Sequence, residues 1–189
     1  MSKYSNQVRI ISGQWRSRML SFPDSEGLRP TSDRIRETLF NWLQLDIAGA
    51  SCLDLFCGSG ALAFEALSRG ASRVVAIEKD ATVAEQLKKN AALLKCKNLE
   101  LYCEDALNWI VRHKQKGQFD IIFLDPPFSD QLLQKTCNLI IENELLKNNG
   151  LIYIESDQTL ENLSLHGSLE FLKQKKAGQV FYALLGNNS

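Results

Sequence analysis

The sequence predicts an α/β protein: a mostly parallel seven-stranded sheet with helices on both faces, a small N-terminal β-hairpin and helix, and an antiparallel hairpin at the C-terminal edge. Three observations support this. Apolar, strand-like runs alternate with helical segments from Ser51 to Glu155, the pattern of units that build a parallel sheet. A glycine turn, Gly58-Ser59-Gly60, follows the first of those strands, where open α/β sheets hold ligands. The tail carries two strands too close in sequence for a crossover, which suits a hairpin.

The elements follow in order. Val8–Ile11, Ser12-Gly13 and Trp15–Leu20 read as a hairpin with polar and basic faces. Gly27–Pro30 is a linker. Thr31 or Ser32 can cap a helix whose apolar stripe is Ile35, Leu39, Trp42 and Leu43, and Gly49 closes that region. Ser51–Phe56 is an apolar strand, and Ala61–Ser68 a helix stopped by Gly70. Arg73–Ile77 is a strand, and Asp80 caps a helix over Ala81–Leu94. Leu99–Cys103 is a strand, Ala106–His113 a helix, Phe119–Leu124 a strand, and Gln131–Leu146 a helix. Gly150 opens the strand Leu151–Glu155, and Leu169–Lys175 and Val180–Leu185 form the terminal hairpin. The hairpin and first helix, residues 1–45, are expected to be an appendage on a ligand-binding domain spanning 46–189.

Bulk composition narrows the class. The 189 residues, 44% of them hydrophobic, suffice for one domain with a real core. Charges balance at 22 against 22, so net charge points to no polyanion, but its distribution does. Lys3, Arg9, Arg16, Arg18, Arg29, Arg34 and Arg36 crowd the first segment against Asp24, Glu26 and Asp33. A solvated surface arm would have the same composition. The five cysteines form no C-x-x-C pair and stand at no metal-ligand spacing from His113 or His166, so no metal is expected. They read as small core residues of a reducing compartment. No apolar run is long enough to span a bilayer and none suggests a signal peptide, so a cytoplasmic location is expected.

The glycine turn reads as a cofactor loop. Gly58 and Gly60 let the backbone approach a ligand, and the next helix aims free N–H groups at it. With Ala63 the spacing also fits a dinucleotide fingerprint, so the glycines alone do not choose a cofactor. Asp54 helps to separate the readings. A carboxylate before the turn repels a pyrophosphate and suits a cationic ligand, such as the amino group of S-adenosylmethionine. Glu78, ending the next strand, stands where an acid meets ribose hydroxyls. Asp105 could accept from an adenine amine, with Ala106 offering a backbone N–H, although an Asp before a helix is also an ordinary N-cap.

Asp125-Pro126-Pro127-Phe128 closes the strand Phe119–Leu124. The prolines lock φ and remove donors, leaving carbonyls free to accept. A nucleobase amine is a poor nucleophile because its lone pair is delocalised. Asp125 and the Pro126 carbonyl can accept its two N–H bonds and turn that lone pair toward an electrophile. Phe128 can stack on the base, a contact worth ~1–3 kcal/mol.

These residues resemble the class I S-adenosylmethionine-dependent methyltransferases, specifically the amino-methylating group with an (Asn/Asp)-Pro-Pro-(Tyr/Phe) motif. The segments Val8–Arg18 and Leu28–Leu43 look like the N-terminal signatures of the RsmD family, bacterial enzymes that methylate a guanine N2 in 16S ribosomal RNA. Ser12 stands where that pattern has glycine. The resemblance implies a Rossmann-like fold with the methyl donor at Asp54, Phe56, Gly58, Gly60, Glu78 and Asp105, and the target base at Asp125, Pro126, Pro127 and Phe128. It implies phosphate contacts at Arg9, Arg16 and Arg18. Thr31, Arg34 and Arg36 would lie near the donor's methionine end or the RNA; ion pairs of the two arginines with Asp33 and Glu37 are the plainer alternative. The implied partner is 16S ribosomal RNA in a partly assembled small subunit. Nothing in the residues signals an oligomer, and a monomer is the default expectation.

Other readings keep parts of this pattern. Adenine N6 or cytosine N4 in DNA, or a glutamine amide, could replace the guanine; DNA enzymes usually need a larger recognition region. A nicotinamide-dependent oxidoreductase could use the same glycine loop. An RNA-binding module would need neither the cofactor acids nor the Asp-Pro-Pro-Phe segment.

Overall fold

The computed structural model describes residues 6–25, 30–113, 117–127, 130–160 and 163–187. Nine strands and five helices are found among them. A two-stranded hairpin pairs β1 (Asn6–Arg9) with β2 (Met19–Phe22). Helix α1 (Asp33–Trp42) leads into β3 (Ser51–Asp54), α2 (Ala61–Ser68), β4 (Arg73–Glu78), α3 (Ala81–Leu93), β5 (Leu99–Cys103) and α4 (Ala106–Arg112). Then come β6 (Phe119–Leu124), α5 (Asp130–Glu142), β7 (Leu146–Ser156), β8 (Leu169–Ala177) and β9 (Val180–Asn187).

The main sheet has the order β5-β4-β3-β6-β7-β9-β8. Strands β3 to β7 run parallel, and β9 enters antiparallel between β7 and the edge strand β8. The expected seven-stranded sheet with an antiparallel edge hairpin is therefore present. One core, on the side of α2 and α3, includes Leu53's neighbour Cys52 with Phe64, Leu67 and Leu87; the other packs Trp109, Ile110, Leu133 and Ile140 beneath α4 and α5. Central strands covered on both faces explain the unbroken apolar runs in β4 and β6.

Every residue of α2 is buried, consistent with a helix that is apolar nearly all round. The N-terminal segment covers it. Val8, Ile10, Leu20, Phe22, Ile35, Leu39 and Phe40 join the same cluster as Phe64 and Leu67. Glu65, the buried acid of α2, accepts from the backbone N–H groups of Ile11 at 2.7 Å and Ser12 at 3.0 Å, and from Arg69 Nε at 2.7 Å. Gln14 N–H donates to Ser68 O at 2.8 Å, and Ser68 Oγ donates to Ser12 O at 2.5 Å. Residues 11–15 thus grip the C-terminal end of α2.

Several boundaries differ from expectation: β1 is Asn6–Arg9 rather than Val8–Ile11, β3 ends at Asp54 rather than Phe56, and two further differences have a clear cause. The second hairpin strand is Met19–Phe22 rather than Trp15–Leu20, because residues 11–15 spend backbone hydrogen bonds on α2 instead of on a partner strand. Helix α5 stops at Glu142, with Glu144 at φ +52°, and Leu146 opens β7 opposite Phe119. A register shift between Phe119 and Ile121 absorbs the extra residues before Leu151 rejoins the ladder.

Candidate active site

The chain leaves β3 outward through β4 and β5, then returns to β6 on the other side of β3. That reversal makes a crevice at the strands' carboxyl ends. A cavity of about 360 Å³ lies there, lined by Asp54, Phe56, Gly58, Glu78, Asp105 and Ala106, all expected at the cofactor. Ser25, Pro30 and Thr31 add a wall from the N-terminal segment. Gly60 is not in that wall. Its φ is +80°, and a Cβ there would stand 2.7 Å from Leu87 Cδ2 and from the Phe64 ring. Glycine is needed there for the left-handed turn and for packing under α3, between Ser59 and Ala61, which do line the cavity.

Glu78 holds the glycine turn in shape. Its Oε2 accepts from Gly58 N–H at 2.9 Å and its Oε1 from Asp80 N–H at 2.8 Å. Asp105 caps α4, accepting from Asn108 N–H at 3.0 Å, and lines the cavity as well. The two readings of Asp105 are compatible in one side chain.

Asp54 is 2% exposed. Burial away from water raises its carboxyl to about 7; the Phe56 N–H, the Cys57 thiol and the Ala63 N–H oppose the rise, and the Glu78 charge adds to it. Among the described residues its Oδ2 has no hydrogen-bond partner. An orphaned buried acceptor costs roughly 1–3 kcal/mol, more when charged. A cationic amino group entering the cavity would satisfy it, whereas a pyrophosphate would be repelled. The donor set therefore fits the methionine end of S-adenosylmethionine.

Asp125 follows β6, beside Asp54 across the β3–β6 pairing that sets Asp54 opposite Phe123. A second cavity of about 330 Å³ shares Pro30, Thr31, Asp125 and Pro126 with the first. Its remaining walls come from the start of α1 (Ser32, Ile35), α5 (Leu133), the end of β7 (Glu155, Ser156, Asp157) and the β8–β9 turn (Ala177, Gln179, Val180). Pro127 lines the first cavity. Phe128 lies outside the described residues.

A polar cluster sits where the cavities meet. Thr31 Oγ1 donates to Glu155 Oε1 at 2.7 Å and lies 3.5 Å from Asp125 Oδ2; Tyr153 Oη donates to the same Oε1 at 2.9 Å. Asp125 opens to the cavities but is otherwise enclosed by protein. That loss of solvent, then the charges of Glu155 and Asp54, push its carboxyl well above the ordinary range, while the Thr31 hydroxyl opposes the shift. Glu155 is raised too, by burial, against the Thr31 and Tyr153 hydroxyls. Sequence reasoning did not single out Glu155 or Tyr153. A signal was present: Glu155 closes an apolar strand as Glu78 and Asp125 do.

The expected RNA contacts divide. Arg9, Arg16, Arg18 and Arg34 are exposed, Arg9 pairing with Asp33 at 3.2 Å. Arg36 is fully buried, and its assignment to RNA is corrected. Its Nε donates to Thr31 O at 3.2 Å, and its terminal nitrogens reach Asp33 at 2.5 Å and Glu65 at 3.5 Å. The cause is helical spacing. Position 36 shares the inward face with Leu39, Phe40 and Leu43. Ser32 supplies the cap of α1, accepting from Ile35 N–H at 3.4 Å, which frees the Thr31 hydroxyl for the acid pair.

Comparison with known proteins agrees with this fold. The family model described as conserved hypothetical protein 95 matches residues 8–186. The ribosomal RNA small subunit methyltransferase D of Haemophilus influenzae is 47% identical over 188 residues, covering 96% of this chain and 94% of that protein. Its namesake in Escherichia coli K12 is 48% identical over 181 residues, covering 95% and 90%. The solved structure of yhhF from Escherichia coli has a TM-score of 0.87 at 45% identity, covering 97% of this chain and 99% of that one. On that match and those identities, the chain belongs to the conserved hypothetical protein 95 family, together with the ribosomal RNA small subunit methyltransferase D proteins.

Proposed function

We propose that the chain is a ribosomal RNA methyltransferase that moves a methyl group from S-adenosylmethionine to the exocyclic N2 amine of a guanine in 16S ribosomal RNA. The observation that carries this reading is the meeting of two cavities at Asp125 and Pro126, one bearing an unsatisfied buried carboxylate and the other walled by acceptors.

In the first cavity Asp54 faces the donor's amino group, Glu78 its ribose hydroxyls, and Asp105 with the Ala106 N–H its adenine. When bound, the donor supplies an electrophilic methyl on a positively charged sulfur. In the second cavity Asp125 and the Pro126 carbonyl accept the two amine hydrogens, which favours a pyramidal nitrogen with its lone pair exposed. Acceptors already in place act where positive charge develops. The nitrogen grows acidic as its new bond forms, so its proton can leave late. Arg9, Arg16, Arg18 and Arg34 meet phosphates, which sets register without reading bases. Residues 1–45 thus supply the phosphate contacts and, through Ser25, Pro30 and Thr31, one wall of the donor cavity, while 46–189 supply the rest of the donor site and the acceptors for the base.

The test is tritium transfer from labelled donor to 16S ribosomal RNA, free and in assembly intermediates, followed by nucleoside mass spectrometry. N2-methylguanosine is expected. Asp125→Ala should lower turnover at least ~100-fold while calorimetry still shows donor binding. Full activity in that variant would remove the mechanism. A methylated adenine, or transfer to DNA alone, would remove the substrate.

A further inference from the structure

Asp125 does not stand alone at the junction. Two acids on neighbouring parallel strands, β6 and β7, end side by side, as the pairing of Leu124 with Ile154 requires. One threonine hydroxyl lies between them, 2.7 Å from Glu155 Oε1 and 3.5 Å from Asp125 Oδ2. That hydroxyl has one hydrogen and can donate to only one acid at a time. The shorter contact assigns it to Glu155. The longer one leaves the Thr31 oxygen facing Asp125 as an acceptor, which is where a protonated Asp125 would donate.

Among the described residues, few other groups face these acids. Asp125 is faced by Asp54 from β3, by Thr31 ahead of α1, and by Glu155 and Tyr153 from β7. Glu155 is faced by Thr31 and Tyr153, and Tyr153 in turn by Tyr182 of β9. The buried cation Arg36 bonds the Thr31 carbonyl, Asp33 and Glu65 rather than either acid. Two acids flanking one hydroxyl, Glu155 buried and Asp125 open only to the cavities, disfavour a second negative charge beside the first.

We propose that Asp125 and Glu155 hold a single proton between them and exchange it through the Thr31 hydroxyl, making Glu155 a positioning residue that sets when Asp125 can accept the amine. This rests on the methyl-transfer reading. Before the base arrives, Asp125 carries the proton and donates to Thr31 Oγ1, while Thr31 donates to Glu155. The amine's N–H rewards a charged Asp125. The Asp125 proton then passes to Thr31 Oγ1 as the Thr31 hydroxyl proton passes to Glu155 Oε1. The pair keeps one proton and one negative charge throughout, and no exchange with water is needed. Arg36, by holding the Thr31 carbonyl, keeps the relay in line.

Carbon-13 labelling of the aspartate and glutamate carboxyls, assigned with Asp125→Asn and Glu155→Gln, tests this in solution without RNA. In the unmodified protein both carboxyl signals should move in the same two pH steps, the mark of coupled acids. In Glu155→Gln the Asp125 signal should titrate in one step at lower pH, because the opposing charge is gone. Independent single-step titrations in the unmodified protein would overturn the proposal, whether or not the protein methylates RNA. In turnover, Thr31→Val should lower kcat at least tenfold with KM unchanged, and Thr31→Ser should restore it. Thr31→Val with normal kcat would equally overturn the relay. Failure of the unmodified protein to methylate any RNA would sink the function while leaving the titration to decide the proton sharing.

Discussion

Asp54 shows how much one side chain can fix. Its carboxyl titrates near 7 because burial strips its water, yet its proposed role needs the charged form. Donor affinity should therefore fall as pH drops below about 7, approaching tenfold per pH unit. Calorimetry at pH 6, 7 and 8 measures this, and Asp54→Asn should bind weakly at every pH. The stability consequence has its own sign. Between the unfolded value of 3.8 and about 7 the folded protein holds the extra proton, so this group's contribution is full at low pH and is lost as pH rises through that window. Asp54→Asn should flatten that part of a pH–stability curve obtained by urea unfolding. The acids at the ends of β3, β4 and β6 were legible in sequence because each interrupts an apolar run beside a turn. Glu155 had the same signature, but its meaning depends on Thr31, 124 positions away in sequence, and on the neighbouring strand.

At the scale of elements, the N-terminal segment is held by α2 more than by its own hairpin. Gly13 has φ +81°, and a Cβ there would lie 1.8 Å from Ser68 O. Gly13→Ala should release residues 11–15 from α2, seen as raised amide exchange in both segments. Arg36→Ala removes a fully buried side chain, while half-exposed Asp33 can turn to water and Glu65 keeps Arg69 and two backbone donors, so it should cost about 1–3 kcal/mol. Thermal unfolding would show it, and Arg34→Ala serves as the exposed control. Helix α2 was readable to the residue because a glycine bounds it on either side. The hairpin's second strand and the end of α5 were not. Backbone bonds to a distant helix decided the first, and a positive φ at Glu144 with a register shift decided the second.

For the whole molecule, zero formal charge hides an uneven distribution. Arg9, Arg16, Arg18 and Arg34 are exposed on one stretch of chain. If all four meet phosphates, log K against log salt should slope by about −3, since each contact contributes roughly 0.7–0.9. Fluorescence anisotropy with a ribosomal RNA fragment over a salt series checks this, and Arg16→Ala should make the slope shallower by about one. The parallel order of the sheet was legible from alternation alone, because βα units leave few topologies. The second cavity was not, since its walls come from α1, α5, β7 and the β8–β9 turn, which only the folded chain gathers.

The two hollows share Pro30, Thr31, Asp125 and Pro126, and otherwise have walls of their own. With donor and base seated as proposed, each is held mostly by walls that the other does not touch. The junction works as a window between two rooms rather than as a corridor through one.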